Sequence, residues 1–144
     1  MANDRLHRDA APTIQGSCLC GQIAFVVTGS LNDPLNCHCR MCRKAHGAAF
    51  RTRASIRTAD FAWLKGQALL KRYQSSPGEY RTFCSNCGSN LITELEQNPD
   101  VLGVPLGILD DDPGVRPERH VFVGAKAPWF EITDKLPQSL SWPD

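Results

Sequence analysis

The sequence predicts a single all-β domain built from short strands. Short runs rich in β-branched and aromatic residues recur along the chain, and residues that favour turns separate them. Only one segment, Arg40 to His46, is predicted as a helix, ending at Gly47. With 144 residues, 42% of them apolar and 22% charged, the chain suits one globular domain with a core of ordinary size.

The expected strands are short and closely spaced. In chain order they cover residues 22–29, 48–54, 61–64, 69–73, 80–83, 90–95, 101–109 and 120–123. Proline, glycine, asparagine and aspartate predict turns at 30–34, 75–78 and 110–114. Alternation of many short strands with turns is typical of an all-β architecture rather than an α/β one.

The ends of the chain set the predicted domain boundaries. Residues 1–13 are polar, lack the apolar stretch of a secretory signal, and contain Asp4 and Asp9, which argue against a transit peptide. We therefore expect a flexible lead-in at 1–13, a zinc domain at 14–137, a tail at 138–144, and a cytoplasmic protein. The longest apolar run is too short to span a membrane, and a net charge of +1 disfavours nucleic acid as a partner.

Seven cysteines fall into three tight groups. These are Cys18 and Cys20; Cys37, Cys39 and Cys42; and Cys84 and Cys87. Disulfides explain them poorly, because the number is odd, a bridge within Cys-x-Cys is strained, and the expected compartment is reducing. Cysteines separated by one or two residues place their sulfurs on one side of a turn, which suits a tetrahedral metal.

The residues after each group indicate how the ligands divide. Gly21 and Gly88 directly follow the first and third groups and permit the tight turn of a zinc knuckle, so these groups together predict a closed four-cysteine site. The middle group supplies only three ligands, which is typical of a catalytic zinc with an open position. Zinc is favoured because the cysteine spacing does not match that of iron–sulfur proteins. We expect two zinc ions per chain, one structural and one catalytic.

Four motifs, in order, resemble the family of glutathione-dependent formaldehyde-activating enzymes, which includes centromere protein V. They are Gly16-Ser-Cys-Leu-Cys-Gly21, Cys37-His-Cys-Arg-Met-Cys-Arg-Lys44, Phe83-Cys-Ser-Asn-Cys-Gly88 and His120-Val-Phe-Val-Gly-Ala-Lys-Ala-Pro-Trp129. The resemblance implies a β-tent fold similar to that of the Rab-associated factor Mss4, and the same division of zinc ligands. It also implies a carbon–sulfur lyase that interconverts S-hydroxymethylglutathione with glutathione and formaldehyde. His46 departs from the family pattern.

Two histidines near the middle group admit more than one interpretation. His46 follows Cys42 by four residues and shares its helical face, so it is a fourth ligand, a proton carrier or a cap for the helix end. His38 lies between two ligands and points away from them if the segment is extended, which favours a packing or supporting role. With either histidine as fourth ligand, the middle group would be a second structural site.

A basic cluster surrounds the same group. Arg40, Arg43 and Lys44 are the predicted binding residues for the carboxylates of glutathione, with Arg51 and Arg53 close by. The alternative is an ordinary solvated face.

The ligand set favours thiol chemistry. Three thiolates on zinc make a weak Lewis acid, which suits uptake of a substrate thiol better than activation of water. A zinc-binding module for protein interaction is the alternative function, but it would need only the closed site. Methionine sulfoxide reductase chemistry needs a spare nucleophilic cysteine, and every cysteine is already assigned to a metal.

Overall fold

The computed structural model describes residues 13–143, and in this part of the chain it contains ten strands and one α-helix. These are β1 (Thr13–Ser17), β2 (Ala24–Thr28), β3 (Asn32–Cys37), α1 (Arg40–His46), β4 (Arg51–Arg57), β5 (Phe61–Lys65), β6 (Leu70–Ser76), β7 (Glu79–Cys84), β8 (Asn90–Leu95), β9 (Val101–Pro105) and β10 (His120–Val121). Four 3-10 turns add Thr58–Asp60, Gln67–Leu69, Leu106–Ile108 and Val123–Ala125. The all-β prediction is confirmed. No helix of the described residues is both long and apolar enough to cross a membrane.

The strands form two sheets. The smaller has the order β1-β2-β5, and the larger has the order β10-β3-β4-β9-β8-β7-β6. Neighbouring strands are antiparallel except for the parallel pair β3 and β10. This topology brings β3, which ends at Cys37, between β4 and β10, so side chains from both neighbours surround the start of the middle cysteine group.

The core lies between the two sheets, as expected for a β-tent. Phe25 on β2 packs with Ile56 and Val104 of the large sheet, and each is almost inaccessible to solvent. Glycine at position 16 makes this packing possible, because a Cβ there would lie 2.2 Å from the Phe25 ring. Cys18 belongs to the same buried cluster, so the first knuckle is anchored directly on the core.

The α-helix of the described residues, α1, has the predicted bounds. Cys39 is its N-cap, and its sulfur accepts a hydrogen bond from the Cys42 amide. Gly47 ends the helix in the left-handed conformation (φ 56°), and its amide donates to the carbonyl of Arg43. The same cysteine that the sequence assigns to a metal therefore also begins the helix.

Other boundaries differ from the sequence prediction because strand pairing decides them. Residues 32–34 were predicted as part of a turn, but they belong to β3, which pairs with β4 through a register shift. Asp33 adopts a positive φ of 47° within this strand, and its carboxylate forms an ion pair with Arg119 (2.7 Å). At the other side, the strand expected to continue to residue 123 ends at Val121 because Phe122 has φ 58°.

The predicted lead-in lies almost wholly outside the described residues, except that Thr13 begins β1. Residues of the predicted tail at 138–144 pair with the domain. The Ser139 amide donates to the carbonyl of His120 (3.0 Å), and the Gly124 amide donates to the carbonyl of Leu140 (3.1 Å).

Candidate metal centres and the adjoining cleft

The sulfurs of the first and third cysteine groups come together. The Sγ atoms of Cys18, Cys20, Cys84 and Cys87 all lie within 4.8 Å of one another. Two of the separations are 3.5 Å (Cys18–Cys20) and 3.9 Å (Cys20–Cys84). Tetrahedral zinc with Zn–S bonds of about 2.3 Å implies sulfur–sulfur distances of about 3.8 Å. Four sulfur donors at this spacing fit a zinc ion.

Each of the two knuckles that carry these sulfurs closes with a turn at its glycine, and the turn is one residue longer in the second knuckle. The amide of Gly21 donates to the carbonyl of Cys18 (2.9 Å), and the amide of Gly88 donates to that of Cys84 (2.8 Å). Both glycines have φ close to 80° (77° and 80°), a conformation that other residues rarely adopt.

Backbone amides also hydrogen-bond the sulfurs themselves. The Ile23 amide donates to Cys18 Sγ (3.3 Å), and the Cys87 amide donates to Cys84 Sγ (3.5 Å). Main-chain dipoles, rather than charged side chains, therefore provide the stabilisation that thiolates need at this cluster.

The middle group forms a second, separate cluster. Cys37 ends β3, while Cys39 and Cys42 lie at the start of α1, and their three sulfurs lie within 4.8 Å of one another. No histidine nitrogen or carboxylate oxygen from residues 13–143 comes within that distance of all three sulfurs. Three thiol donors fit zinc with one position left for another ligand.

This second cluster lines a cleft of about 500 Å³. Its three cysteines are joined there by side chains from β4, β7 and the C-terminal segment. The charged and aromatic side chains of this lining are Arg51, Arg53, Glu79, Arg81, Phe122 and Trp142. The volume falls within the usual range of small-molecule sites.

Arg81 is the closest charged neighbour of the cluster. It is 6% exposed, and its Nη2 lies 3.6 Å from Cys42 Sγ and 3.5 Å from the carboxylate of Glu79. Hydrogen bonds from the Cys37 and Cys39 thiols, and then from Arg81, hold the pKa of Cys42 well below its usual range. The same hydrogen bonds raise the pKa of Cys37 and Cys39, so of the three sulfurs Cys42 is the one whose surroundings favour the thiolate form.

Arg51 is buried beside the same sulfurs. Arg51 is 5% exposed, and its Nη2 donates to the hydroxyl of Thr93 (3.1 Å). Burial lowers its pKa to about 10, so it remains charged at neutral pH. Arg53, two residues further along β4, donates to Ser55 (2.8 Å), and its guanidinium lies 5.4 Å from the centre of the Trp142 ring.

A chain of polar side chains lies behind the cluster. His38 is completely buried, its Nε2 lies 2.8 Å from Nδ1 of His120, and Nε2 of His120 lies 2.9 Å from Asp134. Burial, and then the neighbouring His120, lower the pKa of His38 to about 4. With one proton on each ring, His120 donates to Asp134 and accepts from His38. His38 is therefore buried and hydrogen-bonded to His120, and its supporting role at the metal site stays a prediction.

The remaining predicted site residues lie around α1. His46 is at the end of the helix, and burial, followed by the charge of Arg51, lowers its pKa to about 4. Arg40 and Lys44 line a different cavity of about 470 Å³, which borders the cleft because Arg81 lines both. Arg43 lies on the helix with its Nε buried and without a hydrogen-bond partner among the described residues.

Sequence reasoning missed Arg81, His120 and Asp134 as parts of this site. Arg81 lies within a strand 39 residues after Cys42, and His120 pairs with a residue 82 positions away. No local spacing links such residues. The one available signal was a charged residue inside a strand next to the second knuckle.

Comparisons with known proteins agree with the motifs. Residues 13–125 match the family described as glutathione-dependent formaldehyde-activating enzyme. A protein of Halomonas elongata, which carries the provisional name of such an enzyme, is 32% identical over 130 residues that cover 85% of this chain and 82% of that protein.

A solved structure supports the fold. The crystal structure of a Rhodobacter sphaeroides protein aligns with a TM-score of 0.58 and 28% identity, covering 72% of this chain and 92% of that one. Because the family match extends over most of the chain and includes all three cysteine groups, the chain belongs to the family of glutathione-dependent formaldehyde-activating enzymes.

Proposed function

We propose that this protein is a zinc-dependent enzyme of the carbon–sulfur lyase type. Its substrate is a thiol adduct such as S-hydroxymethylglutathione, which it interconverts with glutathione and formaldehyde. The observation that carries the proposal is the contrast in ligand number: three sulfurs line a cleft that can admit a small molecule, whereas four sulfurs form the other cluster.

Two zinc ions account for all seven cysteines. Cys18, Cys20, Cys84 and Cys87 would hold the structural ion, and Cys37, Cys39 and Cys42 would hold the catalytic one. When bound by three cysteines, zinc supplies a soft fourth position that favours the thiolate form of a substrate thiol.

The side chains around the three cysteines would transfer the reaction's proton and stabilise negative charge on the sulfurs. Formation of the adduct makes a sulfur–carbon bond at formaldehyde, breaks the S–H bond, and places a proton on the former carbonyl oxygen. His46 is the proposed carrier of that proton, because it follows Cys42 by about one turn of α1, and its lowered pKa of about 4 keeps the ring neutral at pH 7. Arg81, next to Cys42, would stabilise negative charge on the sulfurs.

The basic residues of α1 are the proposed contacts for the outer part of glutathione. Arg40 and Lys44 line the cavity that borders the cleft, and Arg43 is on the same helix. A tripeptide thiol held with its sulfur at the three cysteines could extend past Arg81 and place a carboxylate there.

The activity can be measured by NMR exchange between glutathione and S-hydroxymethylglutathione in the presence of formaldehyde. Zinc-loaded protein should increase the exchange rate in proportion to its concentration, and Cys39→Ser should remove at least nine-tenths of that increase while staying folded. Arg57→Met, an exposed change at the far end of β4, is the control and should keep full activity. No acceleration by fully loaded protein, or equal acceleration by Cys39→Ser, would contradict the proposal.

A further inference from the structure

Two arginines on β4 stand next to the three-cysteine cluster, and among residues 13–143 neither has a carboxylate partner. We propose that Arg51 and Arg53 form a carboxylate-binding subsite in the cleft, so that the site prefers thiols that carry a carboxylate within reach of β4. The inference rests on the proposed function, since it specifies which thiols the open cluster accepts.

The strand register places this subsite beside the sulfurs. Cys37 on β3 is directly paired with Arg51 on β4, and Leu35 is paired with Arg53. Directly paired residues on antiparallel strands have Cβ atoms about 5 Å apart on the same face. Arg51 and Arg53 are two residues apart, so they share that face, and both line the cleft.

Arg51 is built into the protein with unused hydrogen-bonding capacity. Arg51 is only 5% exposed. Among the described residues its Nε has no hydrogen-bond partner, and its Nη2 donates only to the neutral hydroxyl of Thr93. Glycine at position 103 leaves room for this pair, because a Cβ there would lie 2.4 Å from Thr93 Oγ1 and 3.3 Å from Arg51 Nη2. A buried guanidinium is costly unless an anion accompanies it.

Positively charged side chains outnumber carboxylates around the cleft, which also favours an anionic ligand. As far as residues 13–143 line it, the cleft contains Arg51, Arg53 and Arg81 but only one carboxylate, Glu79. That carboxylate already lies 3.5 Å from Arg81. Within residues 13–143 neither Arg51 nor Arg53 has a carboxylate oxygen within 4.0 Å. Arg81 donates to Cys42 Sγ, whereas among the described residues Arg51 and Arg53 donate only to the hydroxyls of Thr93 and Ser55, which leaves their guanidinium groups available to a substrate carboxylate.

Three small thiols test the inference. 3-Mercaptopropionate and 3-mercaptopropionamide have the same skeleton and carry an anionic and a neutral end group, and the shorter cysteamine carries a cationic one. In protein with cobalt at the three-cysteine site, the sulfur-to-cobalt charge-transfer band reports thiol binding without relying on activity. The wild-type protein should bind the carboxylate at least tenfold more tightly than the amide, and cysteamine most weakly. Arg51→Met and Arg53→Met should each reduce the carboxylate-to-amide ratio several-fold, while Arg57→Met leaves it unchanged.

The thiols differ in pKa, but the effect of this difference on the carboxylate-to-amide affinity ratio is the same for every variant at one pH. It therefore cancels when the ratios of two variants are compared. If Arg51→Met fails to load cobalt, the more exposed Arg53→Met and the charge-conserving Arg51→Lys carry the test. An unchanged ratio in the loaded Met variants would overturn the subsite and leave thiol binding intact. No band change with any of the three thiols would overturn the proposed function itself, and the subsite with it.

Discussion

The four-cysteine and three-cysteine clusters have the same ligand type in different surroundings. Around the first, backbone amides donate to the sulfurs, a glycine with positive φ closes each knuckle, and Cys18 and Cys84 pack in the main core. Around the second stand Arg51, Arg81 and the buried His38. Groups beyond the ligands tune a metal site, so identical thiolates can serve stability in one place and chemistry in another.

The largest expected difference between the clusters is in folding. Cys84→Ser should lower the free energy of unfolding by on the order of 5 kcal/mol or more, because metal binding at the closed site is coupled to folding. Cys39→Ser should cost less than about 2 kcal/mol, since its cluster lies at the edge of the core. Chemical denaturation of the two zinc-loaded variants measures both values. Equal destabilisation would remove the distinction between structural and catalytic cysteines.

The second comparison concerns zinc affinity. Arg81→Met removes the side-chain donor to Cys42, so the three-cysteine site should bind zinc about 10-fold to 100-fold more weakly, the usual cost of losing a supporting hydrogen bond. Competition with a colorimetric zinc chelator gives the affinity of each site. The four-cysteine site should not change, and Arg57→Met should leave both sites unaltered. Equal weakening of both sites would show a general loss of structure instead.

A smaller loss of stability is expected when the hydrogen-bonded pair of His38 and His120, behind the three cysteines, is broken. His120→Phe keeps an aromatic ring at this position but removes both hydrogen bonds of the imidazole, which leaves the buried His38 without its partner. The unfolding free energy should fall by about 1–3 kcal/mol, and loading of the three-cysteine site should weaken while the four-cysteine site keeps its metal. Thermal melts combined with metal analysis test this, and an unchanged melting temperature would exclude a supporting role for the histidine pair.

The smallest effect is the surface control for these variants. Asp112→Asn breaks an exposed ion pair with Arg116, and no measurable change in melting temperature is expected because solvent screens such pairs. A large loss would mean that the melting temperature responds to any charge removal. It could then not be used to compare the clusters.

The elements that the sequence predicted best are those with local chemical signals. The division of the cysteines and the helix from Arg40 to His46 follow from the cysteine spacing and from Gly47, which are signals between residues close together in the chain. Strand ends were predicted less well, because pairing partners set them: Asp33 joins β3 despite its turn-like neighbours. Arg81 could not be assigned to the site, since only the fold brings β7 next to Cys42.

Stepwise removal of zinc tests the central claim most directly. Protein prepared without chelators should contain two zinc ions per chain, and increasing chelator should remove them in two separate steps. The first ion should leave with the far-UV circular dichroism and melting behaviour retained, and the second should leave only as the protein unfolds. A single zinc ion per chain, or loss of both ions together with unfolding, would contradict the division into one structural and one reactive site.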